Sequence, residues 1–128
     1  MYGVLFAILL TMKIYVCHSS NFNYISELYA PLQNAFGDKH ELVLPHDKKD
    51  GEHSKTIIES CDVVLGEVSY PSTGQGIELG WADDVQVPIV CIHKSSETPT
   101  GALRYVARDV VSYDDENDMV EKVALLLR

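Results

Sequence analysis

The chain has 128 residues, of which 46% are hydrophobic and 23% charged, with a formal net charge of -9. A single domain of this length buries roughly two-thirds of the surface its unfolded chain exposes, enough for a real core. The acidic balance argues against a nucleic-acid backbone or an anionic membrane as the main partner, but leaves room for a small anion held by a few local N–H groups.

Residues 1–11 are apolar but too short to span a bilayer, with no basic leader and no small-residue cleavage site. They are read as an upstream extension, consistent with an over-called start, before a domain over residues 12–128; a membrane tether is the lesser alternative. Residues 13–17 read as the first strand, followed by a loop of His18, Ser19, Ser20 and Asn21. Helical spacing of Ile25, Leu28, Tyr29, Leu32 and Phe36 predicts a helix over residues 23–36, which Pro31 should kink or divide. Residues 41–44 read as the second strand and the polar stretch 45–53 as a loop at its carboxyl end. His46 in that loop is a candidate to point into a site. The run matches no metal-binding spacing, and no metal is expected.

A short helix over residues 54–60 leads to a third strand within residues 62–68, and a third helix is expected to start near Gly76. A fourth strand covers residues 87–92. Residues 99–108 form a loop with a short helix, and residues 110–113 a fifth strand. The closing helix over 114–128 turns Met119, Val120, Val123, Leu126 and Leu127 inward. Cys17, Cys61 and Cys91 sit in or beside strands and have no CxxC spacing, so buried reduced thiols and a cytoplasmic setting fit best.

Alternating strands and helices imply an α/β domain: a doubly wound, flavodoxin-like, five-stranded parallel sheet of order 2-1-3-4-5 with helices on both faces. Its switch point lies between strands one and three. The loop after strand one would meet there with Ser69, Tyr70, Pro71, Ser72, Thr73, Gly74, Gln75, Gly76, Ile77 and Glu78. That turn delivers the Glu78 carboxylate into what reads as the first helical turn. Gly74 and Gly76 offer close backbone approach or positive φ.

The string from Cys61 to Ala82, with its Pro71-Ser72-x-Gly74-x-Gly76-x-Glu78-Leu79-Gly80 pattern, resembles the nucleoside 2-deoxyribosyltransferase family, including the related deoxynucleoside-monophosphate N-glycosidases. More faintly, the resemblance runs from Met12 through the fifth strand. It implies an enzyme acting on a nucleoside or nucleotide, in which Glu78 attacks the anomeric carbon. The glycosyl-enzyme is then resolved by water or by a second base. It further implies that Tyr15 lines the sugar pocket and that Ser72 contacts the sugar or its 5′ substituent. His18 and Ser19 stand where relatives carry Gly-Ser or Ala-Ser.

Two departures accompany the match. No arginine follows in the loop after strand one, where the monophosphate hydrolases use one. Ser54 also occupies the position of a second, assisting carboxylate, with Asp50, Glu52 and His53 nearby. The resemblance implies a homodimer or higher homo-oligomer, in which a neighbour's residue such as Thr100 completes each pocket, and no cofactor. Trp81 and Tyr105 are candidate interface aromatics. Each residue has a bland alternative: a turn serine for Ser72, a core aromatic for Tyr15, a helix-start carboxylate for Glu78. Two rival classes remain, a non-catalytic nucleoside- or nucleotide-binding module and a CheY-like or TIR-like signalling domain. The latter lacks an acidic pair after strand one and an Asp closing strand three.

Overall fold

A computed structural model describes residues 10–45 and 53–128. Most of the extension read over 1–11, together with His46, Asp50 and Glu52, lies outside the described residues. Five strands, β1 (Lys13–His18), β2 (Glu41–Val43), β3 (Val63–Glu67), β4 (Ile89–Lys94) and β5 (Asp109–Tyr113), pair in parallel in the order β2-β1-β3-β4-β5. This is the order expected from the strand–helix alternation.

Because side chains alternate across a strand, β1 feeds two cores at once. Ile14 and Val16 join Leu65, Val90 and Ile92 on one face, under α1 (Ala30–Phe36) and α4 (Glu116–Leu126). Tyr15 and Cys17 join Val64, Ile89 and Cys91 on the other, under α2 (Ser54–Glu59) and α3 (Thr73–Asp84). β1 and β3 are buried almost throughout, as central parallel strands covered on both faces must be. All three cysteines are free and buried.

Three local differences from the sequence expectation have physical causes. The helix expected over 23–36 is split: Ile25–Tyr29 forms a π turn, with the Ala30 N–H bonded to the Ile25 carbonyl, and α1 follows with Pro31 in its first turn. Pro31 has no N–H to give and its ring crowds the carbonyl four residues back, so the wider turn accommodates it. The wide turn also shifts the helical faces. Leu28, Tyr29, Leu32 and Phe36 are buried as expected, whereas Ile25 is 52% exposed.

α3 begins at Thr73 rather than near Gly76, capped by the Ser72 hydroxyl, which accepts the Gln75 N–H at 3.2 Å. At its other end Gln86 takes a left-handed φ of 61°. Around it, the Gln86 N–H bonds the Asp83 carbonyl and the Val87 N–H bonds the Ala82 carbonyl. This is the paired C-terminal motif that glycine usually makes. Val87 is thereby spent on closing the helix and Pro88 has no N–H, so β4 starts at Ile89 instead of Val87. β1 gains His18 and β2 stops at Val43, each one residue from expectation. α4 is capped by Asp115, whose carboxylate accepts the Asp118 N–H, and Met119 and Val123 are its fully buried residues.

Candidate active site

The β1/β3 pairing ends at His18 opposite Glu67, so the loops leaving these two strands begin side by side. Between them and the starts of α2 and α3 lies an open cleft of about 480 Å³, lined by residues including His18, Ser20, Ser54, Ser72, Glu78 and Trp81. Glu78 reaches it from the second turn of α3, not the first, because the helix starts early. The dipole of the helix start, which fades within one turn, is therefore not what favours a carboxylate here. Gln75, Leu79 and Ala82 form the buried face of α3. Glu78, three residues from Gln75 and four from Ala82, sits on the rim of that face and is half-buried.

Two side chains on the same face of β1 hold the Glu78 carboxylate. The Tyr15 phenol donates to Oε2 at 2.5 Å, and the Cys17 thiol donates more weakly to Oε1 at 3.5 Å. Tyr15 is fully buried behind the cleft wall. Burial first, and then its bond to the Glu78 carboxylate, hold the phenol's pKa well above the ordinary value; Ser54 works in the opposite direction. Burial likewise pushes the Cys17 thiol up, helped by Glu78. Both groups therefore stay protonated donors at neutral pH, which fixes the orientation of the carboxylate.

The turn carrying Ser72 is pinned from below. The Gln75 side-chain amide donates to the Glu67 carbonyl at 2.7 Å and to the Cys17 carbonyl at 3.2 Å, tying the first turn of α3 to the ends of β3 and β1. Under it, the Glu67 carboxylate is completely buried and accepts the Ser69 N–H and the Ser69 hydroxyl, each at 2.8 Å, and the Tyr113 hydroxyl. Sequence reading passed over Glu67, Gln75, Tyr113 and Ser20. For Gln75 a signal existed: Ser72 and Gln75 have the spacing of a capping box, which would also have placed the helix start.

The other expected site residues fall as follows. His18 borders the cleft, but its ring turns to the α1 side. Its Nδ1–H donates to the Ser19 carbonyl at 2.7 Å and its Nε2 pairs with the Tyr29 hydroxyl at 2.6 Å, while the Tyr24 ring stacks 4.4 Å away. Ser19 is buried, and its hydroxyl accepts the Asn21 N–H. Ser54 opens α2 on the cleft wall, and Gly74 lines the cleft. Gly76 lines instead a neighbouring cavity of about 220 Å³, together with Thr100 and Leu103. No described glycine has a positive φ, so left-handed backbone is not what Gly74 and Gly76 provide. A Cβ at either would meet nothing within 4 Å, which leaves open space above both. Thr100 caps a 3₁₀ turn, Gly101–Tyr105. Tyr105 is 74% exposed, and Trp81 lies partly buried against the His53 ring at 5.1 Å. Among the described residues, no cluster of three or more His, Cys, Asp or Glu could hold a metal. No described helix is long and apolar enough to cross a membrane.

No family model matches the chain. Over 60 residues it is 35% identical to a 5-hydroxymethyl-dUMP N-hydrolase from Tetraodon nigroviridis, a match over 47% of this chain and 42% of that protein. The chain thus spans less than half the length of this relative. Among solved structures it is similar to a CMP N-glycosidase from Clostridium botulinum, with a TM-score of 0.67 at 17% identity over 88% of this chain and 98% of the other. It is also similar to a 2-deoxyribosyltransferase from Bacillus psychrosaccharolyticus, with a TM-score of 0.58 at 21% identity over 84% and 90% of the two chains.

These likenesses support the nucleoside 2-deoxyribosyltransferase family. At such identities the two structures speak for the fold, and the hydrolase match adds likeness in sequence. Glu78 and Tyr15 are in direct contact. Ser54 stands on the cleft wall. Among the described lining residues Glu78 is the sole acid, and none is Lys or Arg.

Proposed function

We propose that this chain is an N-glycosyl enzyme that cleaves or transfers the (deoxy)ribosyl group of a nucleoside or deoxynucleotide. The observation that carries this reading is the Tyr15–Glu78 hydrogen bond of 2.5 Å, which aims a half-buried carboxylate into an open cleft at the sheet's switch point. Glu78 attacks the anomeric carbon while the C1′–N bond breaks, and the bonding pair leaves with the base, which takes its proton from water in the cleft. The resulting glycosyl ester is then attacked at C1′ by water, in hydrolysis, or by the ring nitrogen of a second base, in transfer, and the attacking group gives its proton to the hydroxide left in the cleft by the first step. Glu78 leaves as carboxylate in either case. Tyr15 and Cys17 keep the carboxylate fixed throughout, so little is spent on orienting it during bond breaking.

Ser72 and Gly74 provide the start of α3 as the place for the sugar's 5′ end. A 5′-phosphate would there meet a helix N-terminus rather than a Lys or Arg side chain. In its own chain Thr100 faces the neighbouring cavity, so its service to a Glu78 cleft would be to that of a second copy in a homo-oligomer. The chain works as a cytoplasmic enzyme without a cofactor in this reading. A second reading, a non-catalytic binding module, is favoured by Ser54 standing in place of an assisting carboxylate. General acid–base help of that kind contributes about 10²–10⁴-fold.

The test incubates purified protein with deoxynucleosides and their 5′-monophosphates, with and without a second free base, and follows base release or exchange by chromatography. Glu78→Gln is expected to fold normally and to lose turnover by about 10³-fold or more. Wild type no faster than Glu78→Gln on every substrate would refute the enzyme. Ligand-induced melting shifts without turnover would favour the binding module.

A further inference from the structure

The wall of the cleft is made by two loops, and both are gripped by a residue that lies on the other side of the sheet. Lys94 ends β4 with its side chain on the α1/α4 face, as the alternation from Val90 and Ile92 requires. Its ammonium donates to Glu27 Oε1 at 2.7 Å in the π turn after the first loop, and to the Tyr70 hydroxyl at 3.1 Å in the second. It also lies 5.5 Å from the Phe22 ring centroid and 5.4 Å from that of Tyr70. Those two rings are themselves 5.5 Å apart. The Lys94 backbone N–H, in turn, bonds the Ser69 hydroxyl at 2.8 Å.

We propose that Lys94 is a positioning residue: by clamping Phe22 and Glu27 to Ser69 and Tyr70, it fixes the distance between the His18–Ser20 wall and the Ser72 wall of the cleft. The function of that distance rests on the N-glycosyl reading above; the clamp itself does not. Lys94 does not line the cleft, so it touches no substrate. It acts by holding the two loops in register across the β1/β3 switch point. Its contact with Glu27, more than any other cause, pushes its pKa up to about 12, so the cation persists at neutral pH. The ring contacts suit a cation partly shielded from water, where such pairs are strongest. A neutral side chain of about the same length keeps the packing of the stem and the backbone bond to Ser69, and loses the ammonium's contacts with Glu27, Tyr70 and the two rings.

The experiment compares wild type with Lys94→Met, Lys94→Arg and Glu27→Gln by amide hydrogen exchange in the ligand-free protein. In Lys94→Met, residues 20–27 and 69–72 are expected to exchange together, about 10-fold faster, while α4 and β5 keep wild-type protection. Lys94→Arg, which retains both the ion pair and the ring contacts, is expected to restore both loops. Acceleration in one loop alone, or in neither, would overturn the clamp. Should Lys94→Met fail to fold, Glu27→Gln provides the same reading, since it removes the charge that pairs with Lys94 in the first loop and should loosen both loops, to a smaller extent, because the clamp couples them.

Kinetics supply the functional half. Lys94→Met should raise KM about 10-fold with kcat within about threefold, a split that general destabilisation does not produce. Lys94→Arg should return KM to the wild-type value. A loss confined to kcat would overturn the positioning role. A wild type that turns over no deoxyribosyl substrate would sink the enzymatic reading, with the exchange data still deciding the clamp.

Discussion

Glu67→Gln is the sharpest stability test that the fold offers. The native carboxylate is fully buried and, among the described residues, has no cationic partner; it is satisfied by three donors, the Ser69 N–H on Oε1 and the Ser69 and Tyr113 hydroxyls on Oε2. Glutamine keeps the shape but only one oxygen. The best placement retains the Ser69 N–H and puts an NH₂ where Oε2 was, facing two hydroxyls that had been donating. Ser69 Oγ already accepts the Lys94 N–H at 2.8 Å, so its freedom to reorient is small. Tyr113 can turn to accept, at the cost of leaving its own proton unpaired in the core.

Two charge-assisted bonds at about 1.5–3 kcal/mol each are lost, and relief from burying a charge offsets part of this, leaving a net loss of about 2 kcal/mol. Glu67→Leu should cost more, because the Ser69 N–H is then orphaned as well. Urea unfolding at neutral pH reads the effect as a lower midpoint with an unchanged slope. Tyr113→Phe completes a double-mutant cycle, whose coupling should exceed about 1 kcal/mol. A Glu67→Gln protein within about 0.5 kcal/mol of wild type, or a cycle that adds without coupling, would refute the account of Glu67 as a dipole-satisfied anion.

Alkaline sensitivity follows from the buried thiols and phenols. Burial raises Cys91 from 9.0 to about 12, raises Cys17 and Cys61, and raises Tyr15 and Tyr113 above the ordinary 10.0. Below these ordinary values both folded and unfolded chains hold the protons and stability is unaffected. As pH rises through about 9 the unfolded chain loses its thiol protons first, then its phenol protons. Each group then costs about 1.4 kcal/mol per pH unit until its folded value is reached. Urea melts across pH 7 to 11 should therefore show a decline that starts near pH 9 and steepens above 10; a flat profile would refute the burial argument. Gln86→Gly should stabilise the protein by about 0.5–1 kcal/mol, since glycine removes the left-handed strain at φ 61°. A lower melting temperature would show that Gln86 is held by something other than its backbone.

Strand order, and the arrival of Glu78 at the β1/β3 switch point though not its turn within α3, were legible because they rest on local pattern: apolar runs of strand length, glycine- and proline-rich turns, and a strand–helix alternation that admits few topologies. The start of α3 was misplaced because Gly74 and Gly76 outweighed the Ser72/Gln75 capping spacing. The exposure of Ile25 depends on how a helix absorbs Pro31, which spacing alone does not reveal. Glu67, Tyr113 and Lys94 were passed over for a different reason. A glutamate at a strand end, a tyrosine at another and a lysine at a third each look like ordinary termini, and only the pairing of β3, β4 and β5 makes them neighbours.

The bond from Tyr15 to Glu78 joins residues 63 positions apart, and that from Gln75 to the Cys17 carbonyl spans 58. Neither can form until β1 has found β3 across everything between them, the kind of distant parallel pairing that closes late. A chain that has made its helices but not this pairing carries a carboxylate aimed at nothing. The orientation of the Glu78 carboxylate is thus a property of the completed sheet, absent from any state in which β1 and β3 are still apart.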